Sequence, residues 1–415
     1  MLLSLSFHHY IKHREEKGLR TPNEKYFKGL MDGIKIDRTI LNRPEPKPEM
    51  LQKGENAALY GLFNSIDKRK TEEFCNRMGI STNALFVSVF NYCISLFSNK
   101  NDTISTSIHN GRTDSRWAKL AGCLFVTYNF RSRFNQEDTV EDVLKNSAKQ
   151  IMETMCCNIN NLHADEMFIQ YQGELITGLK LCGENTKSVR LQLDSLPFHL
   201  MIHESERGFT YELRYWKNRF DENEVKNFME VIDYVLKGMI SQDSLASIRQ
   251  SLPKHLISKT ISINSKELND NLGTKISKGK VAEVAIKDRL GNNQLIGAWG
   301  YLHVDGERLD IEGRILCDGT LDLLETSGRH VMIEGLTGRS YPNLHKIEEV
   351  LLNHSSVNKA HAYVSYQDNN QLLLTADIET DSAFDEAEFT DYIYDKCEEY
   401  LTTSKFIINN EQYID

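Results

Sequence analysis

Hydrophobic and polar positions alternate along the chain with changing period. The densest apolar block is Ala84 to Phe97, within ISTNALFVSVFNYCISLFS, which is apolar on nearly every side. With Ser81 or Thr82 as a cap it predicts a helix that has no solvent face and must lie inside a domain against a sheet. A polar NKND turn follows, then a β-rich run ending at His109-Asn110-Gly111-Arg112, and a second β-rich run from Gly122 to Arg131-Ser132-Arg133. Helix, strand, polar turn and strand predict a mixed α/β layer.

Around this block, residues 7–32 read as helical pieces broken near Thr21-Pro22. Pro-rich 40–50 reads as extended, 57–66 as a strand and Lys68–Met78 as a charged amphipathic helix. Thr139 with Asp142 opens a helix whose inner face is Val140, Val143, Leu144, Ala148, Ile151, Met152 and Met155. Leu196–His203 and Gly208–Trp216 read as paired strands; in the second, Phe209, Tyr211, Leu213 and Tyr215 alternate with polar neighbours as in a half-buried strand. Asp221 with Glu224 starts a helix to Met239 with Val225, Phe228, Ile232, Val235 and Leu236 inside. Residues 241–278 are Ser/Asn/Lys-rich and read as a linker. From 280 onward β-rich segments (280–306, 361–366, 372–378), a helix at 346–354 and another over about 386–400 predict a small α+β unit.

Composition narrows the partners. The 415 residues suffice for two or three domains, and a net charge of −10 offers no broad basic face for nucleic acid or anionic membrane. No run reaches the roughly eighteen apolar residues of a membrane span. The eight cysteines include no CxxC pair and several sit in apolar runs, as reduced packing residues do. The expected compartment is the cytoplasm.

The order from Ile80 to Phe134 resembles the second, C-terminal lobe of the condensation domains of nonribosomal peptide synthetases. Gly111 and Arg112 fit that family's Gly-Arg turn. Gly122, Thr127, Arg131 and Arg133 fit its Gly-aromatic-aromatic-Val-Asn-Thr segment and the basic residue beyond it, although Val126 stands where the family has Asn. The resemblance covers about residues 1–242, with 1–50 as the segment leading into the lobe and 243–279 as the linker. It implies a condensation/chloramphenicol-acetyltransferase-like α/β fold with a mixed sheet. It also implies amide bond formation between carrier-bound aminoacyl and peptidyl thioesters. Gly111, Arg112, Thr127 and Arg131 would face the substrate or carrier.

His8-His9 invites the family's His-His-x-x-x-Asp-Gly motif, but His13 and Arg14 stand where Asp and Gly belong. The segment instead resembles the run after that motif, which would lie upstream of Met1. The expectation is a truncated condensation unit, inactive alone, awaiting an upstream polypeptide with the missing lobe. Residues 280–415 resemble a degenerate, incomplete adenylation C-terminal region: Ile296-Gly297-Ala298-Trp299-Gly300, Asp318-Gly319-Thr320 and Ile347-Glu348 fit its segments in order. Asp310 is nearest to the ribose-binding Asp, one residue out of register. Thr326, Gly328 and Met332 replace the family's hinge and basic residues, and no Gly-rich Ser/Thr-Lys loop occurs.

No covalently bound cofactor and no metal are expected; His199 and His203, four apart on a strand, lack a third ligand. The implied partners are peptidyl or acyl carrier domains presenting phosphopantetheine-linked substrates, and other synthetase modules. Two further readings stay open. One is a stand-alone acyltransferase using His109 as general base. The other is a non-catalytic docking module in which Arg112, Arg116, Arg131 and Arg133 meet the phosphopantetheine phosphate of a carrier.

Overall fold

The structure, a computed structural model, describes residues 7–16, 26, 29–30, 32, 41, 56–109, 117, 120, 124–135, 137–156, 167–173, 180–181, 184–185, 196–266, 268, 279–323, 333–335, 338–340, 348, 350–366, 372–380, 385, 387–389, 392 and 405–410. In chain order the first part comprises α1 (Phe7–Glu16), β1 (Asn56–Leu62), α2 (Lys68–Met78), α3 (Thr82–Ser98), β2 (Asp102–His109), β3 (Val126–Arg133), α4 (Val140–Cys156) and β4 (Met167–Gly173). A two-residue hairpin pair, β5 (Lys180–Leu181) and β6 (Glu184–Asn185), precedes β7 (Phe198–Ser205), β8 (Gly208–Trp216), α5 (Glu222–Ser241) and α6 (Leu245–Ser251).

Helix α3 is the axis of the core. Ser81 Oγ accepts the Ala84 amide at 3.1 Å, and Asn99 in the left-handed region ends the helix. Fourteen of its 17 residues are buried, so it has no face to give to water. Several of its polar donors find partners inside the fold: Ser88 donates to the Ala84 carbonyl at 2.7 Å, and Asn91 donates to Val87 O at 2.9 Å and Ser105 Oγ at 2.8 Å. Helices α4 and α5 flank it; together with Leu200, Ile169 and Phe130 of the sheet they form one large apolar cluster.

The sheet has six strands in the order β1-β8-β7-β4-β2-β3. β4 runs parallel to both β2 and β7, and the remaining pairs are antiparallel. Among the described residues, the helices expected at Lys68–Met78 and after Ser81, Thr139 and Asp221 and the strands expected at 57–66, 196–203 and 208–216 are present. The break near Thr21-Pro22, the extended 40–50 segment apart from Leu41, and the Gly111-Arg112 turn lie outside the described residues. Two details differ. Met152, assigned to the inner face of α4, is 67% exposed. In β8 Glu212 and Trp216 are buried beside the apolar set, so that strand is covered on both faces rather than one.

Of the stretch expected as a linker, residues 241–266 are built structure, and most of 267–278 lies outside the described residues. Leu245, Ile248, Leu252 and Leu256 are spaced through its polar residues and join the main core through α6 and the turn after it. Polar composition hid this short apolar series. Beyond it β9 (Ile261–Asn264) is the edge strand of a second sheet with β10 (Val281–Lys287), β11 (Gly300–Val304), β12 (Glu307–Ile315) and β13 (Leu321–Leu323), ordered β13-β12-β11-β10-β9. This sheet has its own apolar cluster, centred on Ala282, Val284, Ile286 and Leu302. A pair β14 (Ile333–Gly335) and β15 (Gly338–Ser340) follows. The last sheet pairs β16 (Val357–Tyr366) antiparallel with β17 (Leu372–Thr380), which runs parallel to β18 (Lys405–Asn410). The helix expected over about 386–400 lies largely outside the described residues; 387–389 and 392 are helical.

The second sheet is stitched to the first core at residues 289–317. Trp299 N donates to Phe97 O at 2.8 Å and Asn227 Nδ2 to Ile296 O at 2.9 Å, while Leu295 and Ala298 sit inside the main cluster. Glu224, expected to complete a capping box with Asp221, reaches outward instead: Cys317 N donates to its Oε1 at 2.6 Å. Asp221 alone caps α5, accepting from Asn223 N at 2.8 Å. Gly297 (φ +74°) lies so close that a Cβ there would sit 2.2 Å from Glu224 Oε2.

Burial raises the Glu224 carboxyl above its ordinary range, against the lowering effect of the Cys317 amide and Arg314. A carboxyl whose pKa is higher folded than unfolded binds more protons folded, so its charge costs stability as pH rises above the unfolded value of about 4.3. Glu224→Gln keeps the acceptor for Cys317 N and removes that charge. The variant is expected to be more stable than the parent at neutral pH, with the difference vanishing below about pH 4 in urea titrations. Equal stability at neutral pH would show that the charge is not penalised.

Candidate functional site

Residues paired directly across strands share a sheet face. Leu59, Leu213, Leu200, Ile169, Ser107 and Tyr128 form one such row, on the face packed by the helices. The neighbouring row, Ala58, Arg214, His199, Phe168, Thr106 and Asn129, lies on the other face and is mostly polar. On that face Thr106 donates to Asn129 Oδ1 at 3.1 Å, and His199 Nε2 lies 3.1 Å from Gln170 Oε1 with its ring edge-on to Phe168 at 4.7 Å. Farther along, Arg214 Nε donates to Glu212 Oε1 at 2.8 Å and Tyr60 donates to the same oxygen at 3.3 Å. Thr106, Asn129, His199 and Glu212 are all buried. A continuous polar row across the middle of a sheet is costly unless it is hydrogen-bonded, and this row could position polar parts of a substrate.

In sequence His199 figures only as a metal ligand lacking a third partner, and Thr106, Asn129 and Gln170 are not singled out. The available signal was strand β2 itself, where Asp-Thr-Ile-Ser-Thr-Ser places polar residues on both faces of a central strand that ordinarily reads as apolar.

Register also sorts the sequence-derived candidates. Thr127 pairs with Ile108 and Arg131 with Ile104, which puts both on the polar face with Asn129. His109 pairs with Val126 and faces the helix side, its ring 5.9 Å from Tyr128 and its Nε2 shielded from solvent. Burial pushes the Tyr128 phenol above its usual range. His109 and Thr127, one position apart in the β2–β3 register, therefore face opposite sides of the sheet. Gly111, Arg112 and Arg116 lie outside the described residues. His8 and His9 are exposed on α1.

Arg131, expected to face a carrier, is buried at 6% exposure. Its Nε donates to Asp102 Oδ1 at 2.7 Å and its Nη2 to Asp102 Oδ2, while Nη1 donates to the carbonyls of Leu30 at 2.6 Å and Asp32 at 2.7 Å. Every edge of the guanidinium is occupied, so it clamps the segment at 30–32 onto the sheet rather than reaching for a phosphate. Arg133 is the exposed partner, with Nε 3.3 Å from Asp102 Oδ2. Asp310 falls within β12, where the pairing with β11 is irregular, and its side chain lies outside the described residues. Among the described residues, no three His, Cys, Asp or Glu side chains converge as a metal ion would require, and no single helix is long and apolar enough to cross a membrane.

Residues 2–157 match the Condensation domain family. The matched segment includes α1, β2 and β3 and ends just after Cys156, the last residue of α4. No curated protein matches the chain. Among solved structures, a four-domain nonribosomal peptide synthetase in its holo form, bound to AMP and glycine, is similar over 95% of this chain at 10% identity and a TM-score of 0.60. This chain covers 57% of that one. The EpoB cyclization-docking bidomain from Sorangium cellulosum is similar over 58% of this chain and 53% of its own, at 10% identity and a TM-score of 0.45. The first of these likenesses gives the fold: the mixed sheet with helices against one face is a condensation-domain fold.

Proposed function

We propose that this chain supplies the second lobe of a condensation site in a nonribosomal peptide synthetase, joining carrier-bound aminoacyl and peptidyl thioesters as an amide. The match to the Condensation domain family over 2–157 carries this reading. The sequence contains no His-His-x-x-x-Asp-Gly, and its one candidate base near the turn, His109, faces away from Thr127 and the polar row. The base that assists attack of the acceptor amine is therefore assigned to a separate lobe. This lobe's task is orientation: the polar face holds the acyl chains, and the turn carrying Gly111 and Arg112 meets the carrier arm. Bringing thioester and amine together in one site supplies most of the rate gain in such a transfer.

Residues 280–415 are read as an adenylation-like remnant that docks and does not activate. With Thr326, Gly328 and Met332 at the places of the family's charged residues, little remains to balance charge at a nucleotide's phosphates.

The test mixes the purified chain with a polypeptide carrying the His-motif lobe and two loaded carrier domains, and follows amide formation by mass spectrometry. Product is expected only when both polypeptides are present. Product from the His-motif polypeptide alone at the same rate, or from this chain alone, overturns the proposal. Amino-acid-dependent pyrophosphate exchange by this chain is expected at background; exchange above it would sink the remnant reading.

A further inference from the structure

At the β3 end of the first sheet a polar cleft of about 260 Å³ lies between β3, α4 and the residues at 29–30. Ser132 of β3 and Ser147 of α4 line it, and both are buried. Neither hydroxyl makes a hydrogen bond among the described residues, and neither is sealed from solvent, so both stay open to the cleft. Gln150 forms one wall. Its carboxamide accepts Arg131 N at 2.9 Å and donates to Arg131 O at 2.7 Å, as a neighbouring strand would. Arg131 also holds Leu30 O at 2.6 Å, which fixes the facing wall, and a Cβ on Gly29 there would meet nothing within 4 Å. The walls are fixed, and they do not fill the space between them.

Two opposite charges line the same cleft. Arg133 shares the Asp102 carboxylate with Arg131 and touches it only through Nε, at 3.3 Å. Its side chain is 65% exposed, and its Nη groups make no hydrogen bond among the described residues. Asp138 is pinned by its own turn, its oxygens accepting Asn135 N at 2.8 Å and Asn135 Nδ2 at 3.4 Å. Each carboxylate oxygen keeps a second lone pair for a ligand. One cation, one anion and two hydroxyls suit neither a simple anion nor a simple cation. They suit a small molecule that carries both charges.

We propose that this cleft binds a free α-amino acid with a short polar side chain. Its carboxylate would lie on the Arg133 guanidinium and its ammonium on the Asp138 carboxylate, leaving the side chain to Ser132 and Ser147. The volume fits one amino acid and falls below about 300 Å³, where sites for drug-sized ligands begin. The proposal does not depend on the condensation reading.

Calorimetry of the full chain with L-serine, L-threonine and L-asparagine in turn tests it. Saturable binding of at least one, with a rise in unfolding temperature, is expected. The N-acetyl derivative, which lacks the ammonium, and the amide, which lacks the carboxylate, should each bind about tenfold more weakly or worse. Arg133→Gln should weaken binding about tenfold, the loss of one charge-assisted pair, and barely move the unfolding temperature, because Asp102 keeps Arg131. Ser147→Ala removes a hydroxyl that bonds nothing in the fold, so it should weaken binding independently, should Arg133→Gln misfold. No saturable binding by any of the three, equal binding of either derivative, or unchanged affinity in a folded variant overturns the proposal.

Discussion

Phe228→Ala is expected to lower the unfolding free energy of the condensation-type core by about 4 kcal/mol, one of the largest losses a single side chain here can cause. Phe228 is fully buried on α5. Its ring meets Phe97 at 4.9 Å, Phe198 at 5.8 Å and Phe90 at 6.1 Å, each nearly edge-to-face. Those partners belong to α3 and β7, so the ring joins both helices to the sheet. The cost of such a deletion depends on how far the surroundings can collapse into the space. Collapse is restricted here, because α3 is held at its start by Ser81 and at its end by Trp299 N on Phe97 O. Urea unfolding of the variant should show a lower midpoint with an unchanged slope. Phe228→Leu should cost far less, since it returns most of the volume. A loss below about 1 kcal/mol for the alanine would mean that the core repacks freely.

The pattern along the chain was sufficient for α3, β2, the β7–β8 hairpin and α5, because each combines a cap or turn signal with an apolar period long enough to leave one solution. It was insufficient where the deciding neighbour is distant. Arg131 and Arg133 look alike in sequence, and both read as surface cations. The carboxylate of Asp102 and the carbonyls of Leu30 and Asp32 bury the first and leave the second exposed. Glu224 obeys the local rule for a capping box, yet its carboxylate is taken by Cys317, 93 residues away. His109 and Thr127 look adjacent across a turn, and only the register of β2 on β3 separates them. The segment from 241 reads as linker because four leucine and isoleucine anchors are diluted by Ser and Lys. In each case composition or local motif was read correctly, and a long-range contact decided the outcome.

Arg131→Ala is expected to cost about 3 kcal/mol at neutral pH, because it leaves the Asp102 carboxylate with Arg133 alone and the two carbonyls without their donor. The loss falls short of that for a fully buried pair, since Asp102 is 35% exposed and can rehydrate. The pH dependence separates the two contributions. Burial alone would raise the Asp102 carboxyl, but the Arg131 and Arg133 guanidiniums outweigh it and leave the group below its ordinary range. A carboxyl with a lower pKa folded than unfolded adds stability above the unfolded value of about 3.9 and loses it as pH falls through the folded value. The gap between parent and variant should therefore be widest near neutrality and shrink as the solution is acidified below about pH 4. The part that survives in acid measures the grip on Leu30 and Asp32, which does not titrate. Arg131→Lys keeps a charge but cannot span Asp102 and both carbonyls with one ammonium, and should fall between the two. A gap that stays constant from neutral to acid pH would mean that the carboxylate adds nothing, and that Arg131 holds the fold through the backbone of 30–32 alone.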